Sequence, residues 1–250
     1  VVVLQTIAAN LGSMLTPIGN PQNLYLYGLA GTGIGEFIMW LLPYTIASAL
    51  LLVISILLIK NKNEIICIED TDSEAAHNTS VPRVMAYSVL FVLALLVVAR
   101  VLTWYILAAA VLITVLLLEK NVLAKADYAL LLTFIGFFIF TGNMGRVEPV
   151  AHFLAGIVNG RELEAGIITS QCISNVPAAL LLSEFTDNIK NLAIGVNIGG
   201  LGTLIASMAS LISYKLYANE VPDKKGKYFA AFTVYNIIFL VVLYVFTKLI

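Results

Sequence analysis

The chain has 250 residues, 60% of them hydrophobic and 12% charged, with a net charge of −1. Soluble domains average about 25% charged residues, so an ordinary water-soluble core is excluded, as is a basic nucleic-acid surface. Stretches such as LLVISILLI and VLFVLALLVVA offer no polar face for a soluble helical bundle. Cys67, Cys172, His77 and His152 are too scattered for a disulfide framework or a metal cluster. With no Ser–His–Asp set, paired in-membrane carboxylates or GxxxxGK[ST] loop, enzymatic activity and ATP hydrolysis are not expected, and no cofactor is implied.

In chain order, 1–9 reads as half a membrane helix. Asn10 to Asn23 (NLGSMLTPIGNPQN) cannot continue it, because Pro and Gly break regular helix. A short segment at 24–29 is ended by GTG, and 34–59 is long enough for one tilted span containing Pro43. Residues 60–82 read as a polar cytoplasmic loop. An apolar run then extends from Arg83 to Leu118. As one helix it would reach about 54 Å, well beyond a ~30 Å hydrocarbon core. It is therefore split into spans at 84–99 and 103–118, with Arg100 in the turn and Trp104 and Tyr105 at the interface. A further span covers 126–142 and a short surface helix 147–158.

The segment Glu162 to Cys172 is expected to enter the membrane, break at SNVP, and return over 178–185 as a re-entrant hairpin. Residues 188–198 and 204–217 are then two halves of one broken span, separated by GGLG, with Lys224, Lys225 and Lys227 in a loop before a last span at 229–247. Backbone interrupted at membrane depth survives only where protein or a polar cavity covers it, and such interruptions mark binding sites in secondary transporters. Lys60, Lys62, Arg83, Lys120, Lys125, Lys215, Lys224, Lys225 and Lys227 fall on one side. Arg100, Arg146, Arg161, Lys190 and Lys248 fall on the other, so the first side is assigned to the cytoplasm.

A shift of 187 residues superposes Asn10 on Asn197, Gly12 on Gly199, Thr16 on Thr203, Ile18 on Ile205 and Tyr27 on Tyr214. These are largely the polar and helix-breaking residues themselves, and the intervening spans give the two broken helices opposite directions. The expected architecture is an all-α polytopic membrane protein, an inverted-repeat secondary transporter with broken transmembrane helices and a re-entrant hairpin. Residues 1–59 are the remnant of a first repeat. Residues 83–250 are the second, with scaffold spans, hairpin 162–186 and broken helix 188–217. The chain begins VVVLQTIAAN, already apolar, with no basic region before it, and reads as part of a longer carrier whose first hairpin would precede Val1.

SNVPAALLL, NIGGLGTLI, LTPIGNPQNLYL and FTGNMGR together resemble the ion-transporter superfamily. It includes the arsenite pump membrane subunit, citrate and dicarboxylate permeases, and related sodium/proton antiporters. The resemblance covers the whole chain as the later part of a full-length member. It implies that Ser174, Asn175, Val176 and Pro177 form the second hairpin tip. It implies also that Asn197, Gly199, Gly200, Gly202 and Thr203 form the second helix break, and Thr16, Pro17, Gly19, Asn20, Pro21 and Asn23 the first. Arsenite and antiporter members often carry an acidic residue before the hairpin Asn. Ser174 stands there, which favours an organic-anion permease.

On the residues alone, Asn175 is open to three roles: binding a carboxylate, coordinating a cation, or capping a half-helix. Gly199, Gly200 and Gly202 either let backbone approach a ligand or allow close helix packing. Thr16 and Thr203 orient a ligand or bond their own helix. Glu184, Asp187, Lys190, Arg146 and Asn143 are the nearby polar groups. Sodium would be held through Asn175, Asn197, Gly199 and Asn20. The expected function is secondary transport of a small anion, citrate- or dicarboxylate-type, across a lipid bilayer, coupled to sodium or protons by alternating access. An arsenite efflux permease or sodium/proton antiporter is the alternative, and an anion channel the different class. The resemblance implies a homodimer, and a soluble ATPase partner only for an arsenite-like carrier.

Overall fold

The computed structural model describes residues 1–59, 81–125, 128–144 and 146–250. The polar loop read at 60–82 lies outside the described residues up to position 80, as do Cys67, His77, Lys60, Lys62, Asp127 and Gly145. The chain forms two compact units, 1–58 with 133–250, and 59–132. Among the described residues all regular structure is helical. Three helical stretches there are long and apolar enough to cross a membrane: Ile34–Leu58, Val81–Val98 and Pro222–Thr247. Shorter apolar helices accompany them, and large side chains such as Met39, Leu57, Phe91 and Ile237 are exposed along their faces. An exposed apolar surface of this extent requires lipid rather than water. The chain is a multi-pass, all-α membrane protein.

In the smaller unit, α4 (Val81–Val98) and α5 (Trp104–Leu118) pack against each other, followed by the short α6 (Lys120–Ala124). Arg100 sits at the turn with φ 61°, so the long apolar run divides where the charge falls. Arg83 at the start of α4 pairs with Glu119 at the end of α5 at 3.4 Å. Residues 81 and 82, read as loop, belong to α4.

The larger unit is built around α11 (Ile189–Gly199), in which every residue from Leu192 to Gly199 is buried. A helix with no exposed face must be surrounded. Its neighbours are α1 (Val2–Gly12), α2 (Pro21–Ala30), α3 (Ile34–Leu58), α9 (Glu162–Ile173), α10 (Asn175–Leu182) and α13 (Lys225–Thr247). The other elements are α7 (Tyr128–Met144), of which 133–144 belong here, α8 (Glu148–Val158) and α12 (Met208–Glu220). Leu26 of α2, Val158 of α8, Ala178 and Leu182 of α10, and Leu192 and Val196 of α11 pack as one apolar cluster.

Small residues set the α9–α11 spacing. A Cβ on Gly195 would lie 2.5 Å from the Leu163 carbonyl oxygen, and one on Gly199 would lie 2.9 Å from Ile167 Cα. Gly166 answers from α9, where a Cβ would lie 3.0 Å from the Val196 nitrogen. Small residues four apart let membrane helices approach this closely.

Several boundaries differ from the sequence reading. The helix expected to stop at residue 9 continues to Gly12, because Asn10 lies inside α1 with its backbone still helical. The break at SNVP shrinks to Ser174 alone, since Asn175, Val176 and Pro177 form the first turn of α10, where proline lacks no bond that matters. The second half of the later broken helix starts at Met208, after a 3-10 turn at Leu204–Ala206. Lys225 and Lys227 lie in the first turn of α13 rather than in a loop.

The 187-residue offset reproduces element boundaries as well as residue identities. Val2 and Gly12, the ends of α1, map onto Ile189 and Gly199, the ends of α11, and Pro21 and Met208 open α2 and α12. The caps before them, Asn20 and Ser207, are both extended, as are Thr16 and Thr203.

Replacing Gly195 with Ala forces α9 away from α11, because the obstacle is backbone. The expected cost is about 1–3 kcal/mol, read as a lowered melting temperature of the full-length protein in detergent, whereas Gly156→Ala, at a site with open space, should not lower it.

Candidate functional site

After both α1 and α11 the helix is interrupted, and side-chain amides satisfy backbone groups that the interruptions leave. At the end of α11, Gln171 Nε2 donates to the carbonyls of Gly199 (2.8 Å), Leu201 (3.0 Å) and Ile167 (3.2 Å). Its Oε1 accepts the Thr203 N–H at 2.9 Å, and the Thr203 hydroxyl donates to the Gln171 carbonyl at 3.2 Å. One glutamine of α9 therefore fastens the break to the hairpin. Gly202 lies at φ 103°, and a Cβ there would sit 2.3 Å from Gln171 Oε1, so both backbone and space require glycine.

At the first break, Asn20 caps α2 by accepting the Asn23 N–H at 2.9 Å. Asn23, fully buried, donates to the carbonyls of Met14 (2.7 Å) and Thr16 (3.2 Å). Gly19 folds back on the 3-10 turn Ser13–Leu15, where a Cβ would lie 1.9 Å from the Ser13 carbonyl oxygen. Pro17 is buried in the turn, and Pro21 is the first residue of α2, where its missing N–H costs nothing.

The two breaks meet through asparagine. Asn197 Nδ2 donates to Asn23 Oδ1 at 2.6 Å and to the Ala193 carbonyl at 2.8 Å. Its Oδ1 accepts from Asn20 Nδ2 at 3.0 Å and from Gln22 Nε2 at 3.5 Å. On the other side, Ser207 donates to Asn10 Oδ1 at 3.3 Å. The contacts are reciprocal under the offset: Asn10 corresponds to Asn197, and Ser207 to Asn20. Each asparagine accepts a bond from the residue that caps the opposite second half.

The reciprocity fails at Gln22 and Asn23, whose counterparts are Ala209 and Ser210. Asn197 Nδ2 reaches Asn23, but the corresponding position is Ser210, a shorter and equally buried side chain. Asn10 Nδ2 is buried with no hydrogen-bond partner among the described residues. An unpaired buried donor costs about 1–3 kcal/mol. Asn175, 3% exposed at the start of α10, turns its amide to the same place. A Cβ on Gly200 would lie 2.7 Å from Asn10 Nδ2 and 2.8 Å from Asn175 Nδ2. Two amides thus converge on the bare backbone of Gly200, with the Ser207 hydroxyl beside them.

The remaining sequence candidates separate into groups. Ser174 has φ 74° and donates its hydroxyl toward the Ala206 carbonyl at 3.5 Å, tying the hairpin apex to the later break. Gly199 meets Ile167 and Ser170, so its small size serves helix packing. Val176 lines an apolar cavity of about 300 Å³ with Tyr25, Phe134 and Phe138. Pro177 is buried within α10. Thr16 contributes its carbonyl to Asn23, while the Thr203 side chain is turned to Gln171. Glu184 and Asp187 line a separate cavity of about 810 Å³ with His152 and Glu148. Asn10, Gln22, Gln171 and Ser207 were absent from the candidate residues. The offset that pairs Asn10 with Asn197, and Asn20 with Ser207, could have found two of them.

Replacing Gly200 with Ala places a methyl group against both amides. Transport by the full-length protein is expected to fall at least tenfold, with a cost of about 1–3 kcal/mol in melting experiments. Unchanged uptake would show that the amides do not act at this place.

Residues 1–190 match the model of the citrate transporter family, CitMHS, and the chain belongs to that family. The uncharacterized transporter MJ0456 of Methanocaldococcus jannaschii is 36% identical over 249 residues, covering 99% of this chain and 66% of that protein. The inner membrane protein YbiR of Escherichia coli K12 is 30% identical over 234 residues, covering 88% of this chain and 58% of that protein. The chain thus spans less than two thirds of the length of these curated relatives. No solved structure matches. The family is one of transporters, in keeping with the expectation that the chain is not an enzyme.

Proposed function

From membership in the citrate transporter family, we propose that the chain belongs to a secondary active transporter of a small organic anion of citrate or dicarboxylate type. The observation that carries this reading is the unpaired, buried Nδ2 of Asn10, set beside the Asn175 amide across Gly200. Amide N–H groups in a buried place bind a carboxylate well, because a hydrogen bond to a charged group is worth about 1.5–3 kcal/mol. The α10 helix begins at Asn175 and adds the partial positive charge of its N-terminus.

In this reading α9 and α10 are a re-entrant hairpin, and α1–α2 and α11–α12 are the interrupted helices of an inverted repeat. The coincident boundaries and the crossed asparagine bonds support it. The anion is released to either side by alternating access, with sodium or protons as the coupling ion. Of the oxygens expected to hold sodium, those of Asn197, Asn20 and Gly199 already accept hydrogen bonds. Asn175 Oδ1 accepts none among the described residues, and is the ligand around which a sodium site would form. A homodimer follows from the family resemblance. Ser174, in the place of an acidic residue, favours organic-anion uptake over arsenite efflux or sodium/proton antiport.

The test is uptake by the full-length protein in proteoliposomes, with citrate, C4-dicarboxylates, arsenite and sulfate under imposed sodium or proton gradients. Citrate or a dicarboxylate should accumulate against its gradient, and only when one of the ion gradients is imposed. The Asn175→Ala variant should insert normally and lose roughly 10- to 150-fold in uptake. Accumulation of arsenite alone would replace the substrate, and passive currents without ion coupling would make the protein a channel.

A further inference from the structure

Two cavities at the base of α9 share a wall. One, of about 340 Å³, is polar and is lined by Tyr44, Arg161, Glu162, Glu164, Lys190 and Lys248. The other, of about 510 Å³, continues past Gly160, Arg161 and Glu164 along Ile157, Ala165 and Ile168. The first is ringed by charge. The second is mostly apolar, with Ile168 65% exposed.

Both carboxylates in the polar cavity are engaged. Glu162 accepts from the Gly160 N–H at 2.9 Å and the Thr186 hydroxyl at 3.1 Å. Glu164 is paired with Lys248 and accepts from the Tyr244 hydroxyl at 3.4 Å. Arg161 and Lys190 form no ion pair among the described residues. Arg161 occupies the N-cap position of α9 with no side-chain capping bond, and Lys190 lies in the first turn of α11, so both cations stand where helix N–H groups also point. From Lys190 to Asn197 the rise along α11 is about 10 Å, so the cavity is distinct from the amide cluster.

We propose that this cleft binds an anionic phospholipid, with the phosphate between Arg161 and Lys190 and one acyl chain along Ile157, Ala165 and Ile168. Two cations that form no ion pair among the described residues complement a phosphate. The apolar arm that begins at Arg161 has no use for a soluble anion and matches a hydrocarbon chain. The lipid would brace the base of α9 and the start of α11 together. This assignment rests on membrane embedding and is independent of the substrate.

The experiment uses the full-length protein in nanodiscs of phosphatidylcholine with and without phosphatidylglycerol, followed by delipidation and mass spectrometry of retained lipid. Phosphatidylglycerol is expected to be retained in preference to phosphatidylcholine. Each of Arg161→Ala and Lys190→Ala should reduce that retention roughly fivefold, and the pair about thirtyfold. Ile168→Asn, on an exposed position, should reduce it with both cations intact. Melting curves confirm that each variant is folded. Equal retention of the two lipids, or undiminished phosphatidylglycerol on the double variant, would overturn the assignment. So would competition by inorganic phosphate or glycerol phosphate as effective as that by the lipid.

Discussion

A helix that stops against packed protein leaves carbonyls and N–H groups for neighbouring side chains to satisfy. The larger unit is arranged around this requirement. Gln171 takes the carbonyls released at the end of α11, and Asn23 takes those released after α1. Asn197 joins the two. Each of these amides has both a donor and an acceptor, so one side chain serves the two kinds of orphan group at once. Hydroxyls appear at the margins, from Thr203, Ser207 and Ser174, where a single bond suffices.

The amides reach their partners only because the helices approach closely. Gly166, Gly195 and Gly199 draw α9 against α11, which brings Gln171 to the break rather than a turn away from it. Packing and polar satisfaction are thus one device. The same closeness that leaves no room for a methyl group at Gly200 sets Asn10 and Asn175 side by side. The difference between a closed amide pair and an open one lies in Asn23 against Ser210.

The interruptions were legible because proline, glycine and asparagine have no ordinary place in an apolar run. So was the division of the long apolar segment at Arg100, from its length alone. The offset between the broken helices was visible in residue identities and recurs in element boundaries. Gln171 was not legible, since a glutamine near the end of an ordinary helix looks like any polar surface residue. Its partners at the break lie 28 to 32 residues away and are chosen by a helix crossing that no local pattern reveals. Gly199 illustrates the converse. Its type admitted both ligand approach and packing, and the neighbouring Ile167 and Ser170 fill its side with protein.

The fastening made by Gln171 has a mechanical corollary. Its bonds bridge α9 to residues on both sides of the gap after Gly199, and Thr203 returns one to its main chain. Prising the hairpin off would sever all of them together, each worth about 1 kcal/mol. Swinging the lashed assembly as one rigid piece would sever none. The chain enters that assembly beside Gly160, at φ 77°, and leaves it through the extended Ser207, so hinges for such a swing belong at those two tethers.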